Sequence, residues 1–508
     1  MHKFAKLTTA TMLGALIMGA ASGCGESADL LLWTGFGSSY STAVQSLIDR
    51  YTEASKVTIE HQSQGSYDKL QTNISNSIST AAYPNVANGY PDHFAGYIKS
   101  SIQLPLDSYI AAYNQEHGGS LIDDYYPEYM VENETLRYHT DGTPYIMGLP
   151  FNKSTELMGY NHYFMEYAKS TDATLKVPET WAEWEVLGPK FLDVMDNLYE
   201  KYLFAVVDSA DPDKLSDFKV QSSSDAPDAD HELLLDCSKV TKAKFRLLCW
   251  DATDNMFITI VRQWGGTYTS FTSEDASKYQ HGWAEFNTTE NAPKTKAAMQ
   301  YFKNLYDAGV FGLSSDISDD SYSSTGFKNN QCMFTICSSG GLSYNIGTSR
   351  LKLTAIPYYD DGTTQRKYVI SQGTNLALFD QGDDATKQKA FDMIVAFSKG
   401  EIQARWASET GYYPASKSAT ANEVYQSLLK TKQENPTKRA YQESAVLNEN
   451  TYMNSDEKWI KFVDPGFVGS SSIRAEVKTI MGIAFAGEKN FDTILDESCN
   501  RLKDYVRK

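Results

Sequence analysis

The stretch LLLWTGFGSSYSTAVQSLIDRYTEASKVTIEHQSQG, residues 30–65, decides the fold. It opens on four consecutive apolar residues, which suits a strand buried on both faces. Val44, Leu47, Ile48 and Tyr51 then recur at i, i+3, i+4 and i+7, one face of a helix, and Val57 and Ile59 alternate with polar neighbours as a second strand. Further on, Leu70, Ile74 and Ile78 stripe a second helix, and residues 85–87 read as a third strand behind Pro84. The order βαβαβ predicts a parallel sheet with helices on its faces. Ligands of such sheets gather beyond the carboxyl ends of the strands. The loops Thr34-Gly35-Phe36-Gly37, Gly65-Ser66-Tyr67-Asp68 and Tyr90-Pro91-Asp92-His93-Phe94 are therefore the first places to look for function.

Upstream, Lys3 and Lys6 precede a short apolar stretch, residues 12–20, in the layout of an export signal. Ala21-Ser22-Gly23 runs directly into Cys24, which resembles a bacterial lipobox. That likeness implies residues 1–23 as a signal peptide and residues 24–27 as a lipid-anchored start, with the Cys24 thiol acylated. Two or more acyl chains, at about 0.8 kcal/mol per buried methylene, anchor stably. No later stretch approaches eighteen unbroken apolar residues, so the remainder is expected to face water outside the membrane. The chain has 508 residues, 41% of them hydrophobic, enough for large cores and two or more domains. A net charge of −18 sets aside nucleic acid as a partner and any electrostatic grip on acidic lipid.

Beyond Cys24 five cysteines remain, Cys237, Cys249, Cys332, Cys337 and Cys499, so at least one thiol stays free. Cys332 and Cys337 lie on one strand-like run and are too far apart to bridge; Cys237 and Cys249 could pair. Zinc is not expected, because only His231 is near and no C-x2-C spacing occurs. A second block of strands and helices begins near Gly148. It includes a strand over 202–207, a helix carrying Ala298, Tyr301, Phe302 and Leu305, a strand run near Tyr368, a helix over 384–399 and a mainly helical tail over 422–507. Residues 208–244 turn polar and read as a partly flexible surface insertion.

The segments LLLWTGFG, QGSYDKL, YPDHFAGYI, GLPFNKSTELMGYN, VPETWAEW, NMFITIVRQWGGTYT, CSSGGLSYNI and TGYYPASKSA follow one another in this order. Together they resemble the extracellular solute-binding proteins of ABC importers, the family of maltose-type and glycerol-phosphate-type receptors, over about residues 28–480. The resemblance implies an α/β fold of the periplasmic-binding-protein-like type II, two lobes joined by a hinge around a ligand cleft. Lobe one would hold 28–148 and 365–412, lobe two 149–364 and 413–508. It also implies a monomer that needs no cofactor, closes on a solute and docks on ABC permease subunits; a ligand favours closure only as far as it binds the closed form better.

A sugar has a nearly apolar ring face and a fringe of hydroxyls, so it calls for aromatic plates with planar acceptors and donors around them. The candidate plates are Phe36, Tyr67, Trp181, Trp264 and Tyr412, and the candidate acids are Asp68 and Asp92. Asp92 matches the family's acid at the end of strand three, whereas His93 stands where maltose-type receptors carry arginine, a departure that counts against maltose itself. Ser154 matches a hydroxyl position of the glycerol-phosphate branch, and Arg474 that branch's late arginine. Ser338, Ser339 and Gly340 form a small-residue turn whose N–H groups can reach ligand oxygens. An arginine serves a phosphate as a bidentate donor and a hydroxyl pair equally, so an oligosaccharide and a glycerol phosphate or its diester both stay open. Each residue also has a structural role to offer: Trp181 follows a Pro-Glu-Thr helix start and suits a staple, Gly265-Gly266 suits a turn, and His93 suits a structural hydrogen bond.

The rival of another class is a secreted glycoside hydrolase, which needs two carboxylates at set distances across a cleft. No G-x-S-x-G, H-E-x-x-H or P-loop accompanies the acids. A tethered adhesin or sensor subunit that kept the fold is a third reading. The lipobox generates a direct expectation. Mass spectrometry of the membrane fraction finds a chain beginning at acylated Cys24, and Cys24→Ser moves the protein out of that fraction; an unmodified wild-type terminus elsewhere contradicts it.

Overall fold

The apolar run at Leu30 extends into β1 (Leu30–Thr34). The coordinates, a computed structural model, describe residues 28–272, 281–318 and 322–507; the signal segment and Cys24 lie outside them. α1 (Ser41–Ser55) buries the expected Val44, Leu47, Ile48 and Tyr51, β2 (Ile59–Ser63) follows, and α2 (Tyr67–Ser77) buries Leu70 and Ile74. β1 pairs in parallel with β2 on one side and with β3 (Val86–Gly89) on the other. This is the βαβαβ order that periodicity indicates. Leu30 and Leu32 meet Val44, Leu47 and Phe391 on one face, while Ala87, Leu70, Ile74 and Phe94 form a second cluster. Each such side chain, fully buried, contributes about 1.5–3 kcal/mol.

The sheet does not stop at the lobe boundary. β4 (Leu149–Asn161) and the strand Tyr368–Leu378 run antiparallel through the middle of a sheet whose flanks are different lobes. At one end Tyr368–Leu378 pairs with β3 through Asn375↔Gly89 to Leu378↔Val86. At the other end β4 pairs with Phe334–Ser338 and Leu351–Thr354, and Leu248–Trp250 and Phe311–Gly312 follow outward. The second lobe has its own large core around Trp181, Trp184, Trp250, Phe302 and Phe334. Residues 413–430, which the sequence assigned to the second lobe, pack on the first. The helices Lys417–Thr420 and Glu423–Lys430 cover Ala404 and Ala407 of helix Gly400–Thr410, and Asp124 receives Ser418 N–H at 2.9 Å.

The polar segment 208–244 is not loose. Leu215–Gln221 and His231–Asp236 flank Tyr202–Val207 as an antiparallel sheet, with Leu234 and Leu235 in the core and His231 held between Asp228 and the Asp217 carbonyl. Its polar composition hid the short apolar run 233–235 that anchors it. Cys237, Cys249, Cys332 and Cys337 are buried free thiols, so the Cys237–Cys249 pairing does not form. Among the described residues no helix is long and apolar enough to cross a membrane.

The crossing strands carry a polar network in their middle. Lys153 on β4 donates to Glu132, to the Gly373 carbonyl at 3.3 Å and to Asn375 Oδ1 at 3.3 Å, and Asn133 donates to the same Asn375 oxygen at 2.9 Å. Burial pushes Glu132 up and pulls Lys153 down, while their attraction opposes both shifts. Register slips between Thr374 and Asn375, and Gly373 has φ +95° with the Asn152 carbonyl 1.9 Å from where a Cβ would stand. Only glycine fits there.

Behind this crossing Lys461, on Ile460–Phe462, donates to Tyr129 Oη of the first lobe at 2.8 Å and to Asn448 Oδ1 at 3.2 Å, and lies 4.7 Å from the Tyr129 ring centre. Burial pulls its ammonium down to about 7 from the ordinary 10.5; Lys153 adds to the shift, and Glu128 and Glu132 oppose it. Between those two values the unfolded chain holds a proton that the folded chain has released, so stability rises with pH across that window. In urea titrations the wild-type midpoint gains on that of Lys461→Met as pH is raised from 7 towards 10; parallel curves contradict the assignment.

Candidate functional site

The loops at the strand ends deliver their aromatic side chains to one place. Gly35 follows β1 and packs directly under Tyr67, whose Cδ1 would lie 2.4 Å from any Cβ there, and its N–H is held by Asn88 Oδ1 at 3.0 Å. Ser66 caps α2 through Lys69 N–H, which places Tyr67 and Asp68 in the first helical turn. Tyr90 and Pro91 open the helix Pro91–Lys99, with Asp92 in its first turn. Tyr67 and Tyr90 meet edge to face at 5.0 Å. Tyr412 stacks on Trp406 at 6.2 Å and 12°, and lies 5.9 Å from Tyr40. Phe36 is buried beneath Tyr40, Tyr67, Tyr412 and Trp406, so it supports the rings and does not front them.

The second lobe meets this wall through the turn Ser339–Asn345. Tyr40 Oη donates to the Gly340 carbonyl, Ser39 bonds Tyr344, and the Tyr412 ring lies 2.5 Å from a Cβ position on Gly340. A side chain at 340 would displace the ring. Ser338 caps this turn by accepting from Gly340 N–H at 3.3 Å, and Ser339 accepts from Thr155 N–H at 3.4 Å, so both serines shape the turn. Burial pushes the Tyr67, Tyr90 and Tyr412 hydroxyls up, which keeps them neutral donors at physiological pH. Asn152, in the hinge network, donates to Tyr67 Oη at 3.5 Å.

Next to the rings lies an ionic cluster. Arg474 binds Asp254 through Nε at 2.9 Å, Asp464 through Nη1 at 2.8 Å and Asn255 Oδ1 through Nη2. Asp92, from the other lobe, acts on Arg474 and on Asp464 across the cleft. Burial lifts Asp464 to about 6 although Arg474 pulls the other way. Asn255 also donates to Glu156 at 3.2 Å; burial lifts this carboxyl to about 8, against hydrogen bonds from Trp250 and Asn255. The exposed Tyr322 stands within electrostatic range of Asp68 on one lobe and of Asp251 and Asp254 on the other.

Three candidates lie elsewhere. Trp181 is 1% exposed, stacks on Trp250 at 6.1 Å and donates to Gln263 Oε1 at 2.6 Å, inside the second core; Thr180 and Glu183 form the capping box before it. Trp264 packs on Tyr301 and Tyr359 at the far end of helix Thr253–Gln263, about 15 Å along it from Asp254. Ser154 is buried within β4 opposite Gln372. His93 is buried, edge-on to Tyr90 at 5.8 Å and 4.0 Å from Asp92. The residues of this cluster that the sequence reading did not name are Tyr40, Asp254, Tyr268, Tyr344 and Asp464, while Tyr90 lies in a loop it did name. Asp254 had a signal, since it opens a helix just after strand Leu248–Trp250, the arrangement followed in the first lobe.

A profile of the family described as bacterial extracellular solute-binding protein matches residues 46–433. No curated protein matches the chain by sequence. Among solved structures, UgpB of Mycobacterium tuberculosis in complex with glycerophosphocholine is similar at 17% identity and TM-score 0.64, covering 95% of this chain and 98% of that one. An ABC substrate-binding protein of Listeria monocytogenes in complex with cycloalternan gives 13%, 0.64, 94% and 98%. MalE of Bdellovibrio bacteriovorus bound to maltotriose gives 12%, 0.61, 94% and 100%. These likenesses establish the two-lobe type II fold.

The ionic cluster generates a stability expectation. Arg474→Met leaves Asp254 and Asp464 unpaired and lowers unfolding free energy by on the order of 3 kcal/mol in urea, and adding Asp464→Asn to it recovers part of the loss. No loss contradicts the pairing.

Proposed function

Because the chain belongs to the bacterial extracellular solute-binding proteins, we propose that it captures a carbohydrate, an oligosaccharide by preference, by hinge closure and hands it unaltered to an ABC permease. Members of this family act outside the cytoplasm on small solutes, and the lipid on Cys24 would hold this one at the membrane as a monomer. The observation that carries the carbohydrate reading is the pairing of a tyrosine wall, Tyr40, Tyr67, Tyr90 and Tyr412, with an arginine already neutralised by carboxylates. Rings cover the apolar face of a sugar, Asp68 and Asp92 accept from its hydroxyls, and tyrosine hydroxyls donate. The similarity to proteins in complex with cycloalternan and maltotriose supports this reading.

Glycerophosphocholine in the Mycobacterium protein keeps a phosphodiester as the second reading. Arg474 would have to bind phosphate while flanked by Asp254 and Asp464, and that like-charge crowding disfavours an anion.

Trp406, stacked on Tyr412, makes binding visible. Fluorescence titration saturates with a sugar, and Tyr412→Ala weakens that binding by about tenfold or more, the scale of a lost ring contact. Saturation by glycerophosphodiesters alone overturns the proposal, as does release of new reducing ends from the bound sugar.

A further inference from the structure

We infer that the captured sugar carries a positively charged amine, seated beside Asp92, Asp254 and Asp464; this rests on the carbohydrate reading above. The charged groups gathered there are Asp92 from the first lobe, and Asp254, Asp464, Arg262 and Arg474 from the second. Three carboxylates thus stand against two guanidiniums, with His93 behind Asp92. Arg474 is ion-paired to Asp254 and Asp464, and Asp92 lies 4.0 Å from the His93 ring on its own helix.

A second observation points to a ligand at the same place. Tyr268 is 1% exposed, yet its hydroxyl has no hydrogen-bond partner, and it lies within electrostatic range of Asp464, Arg474, Asp254 and Asp92. Asp464, half-buried, has an Oδ1 that is shielded and without a hydrogen-bond partner, while its Oδ2 holds Arg474. Unused acceptor oxygens suit an ammonium, which brings three donors and no acceptor, whereas a phosphate brings acceptors only. The Tyr90 ring, which feels Arg474, Asp92 and Asp254, adds the aromatic face that organic cations favour. Tyr67, 5.0 Å from Tyr90, is placed to cover the sugar ring that bears the amine.

Isothermal titration of the purified protein tests this with glucosamine and galactosamine oligosaccharides, their N-acetylated twins and neutral glucose oligosaccharides. At low salt the amine-bearing member binds about tenfold or more tightly than its twin, and the margin shrinks at high salt. Asp254→Asn and Asp92→Asn each narrow it; if either variant fails to fold, the wild-type comparison and its salt dependence decide. Equal or tighter binding of the acetylated or neutral sugars overturns this inference and leaves the carbohydrate reading standing. Binding of no sugar, amine-bearing or not, overturns both.

Discussion

Everything in this molecule depends on two strands that cross from one lobe to the other as neighbours in a single sheet. β4 and Tyr368–Leu378 cannot slide independently, because their antiparallel ladder and the bonds of Lys153 to the Gly373 carbonyl and Asn375 fix them to each other, while the buried Lys153–Glu132 pair ties β4 to the first lobe. A buried ion pair is weak evidence for stability, since desolvation offsets much of its attraction. Its role here is one of place. Glu132 sits on a helix of the first lobe and Lys153 on the crossing strand, so breaking their alignment leaves a buried charge with no partner. The slip at Thr374 and Asn375 and the left-handed Gly373 give the crossing its bend without breaking the ladder.

That geometry also positions the cleft. The same network that locks the hinge ends on Asn152, whose amide reaches Tyr67, and Tyr413 N–H bonds the Lys153 carbonyl one residue after the ring of Tyr412. Hinge and aromatic wall are therefore one hydrogen-bonded unit. On the far side Asn255 links Arg474 to Glu156 of β4, so the ionic wall also hangs from a crossing strand. The charge organised there is lopsided, Asp254 and Asp464 flanking the single Arg474.

Legibility varied with the range of the interaction. Strands and helices of the first lobe were readable because burial on a parallel sheet imposes period and order on neighbouring residues, as with Val44, Leu47, Ile48 and Tyr51. The strand-end rule led to the loops bearing Tyr67, Asp68, Tyr90 and Asp92. Residue type alone misplaced Trp181 and Trp264, since a tryptophan's type does not say which face of a helix it takes, and polar composition hid the strands of the 208–244 segment.

The sequence by itself determined the α/β class, the family resemblance and the residues that end each strand, because these follow from local periodicity and short motifs. Only the tertiary structure decided which tyrosines gather into one wall, that 413–430 packs on the first lobe, and that Asp254, Asp464 and Tyr268 surround Arg474. Those contacts join residues tens to hundreds of positions apart. No local pattern constrains them; the crossing of two strands does.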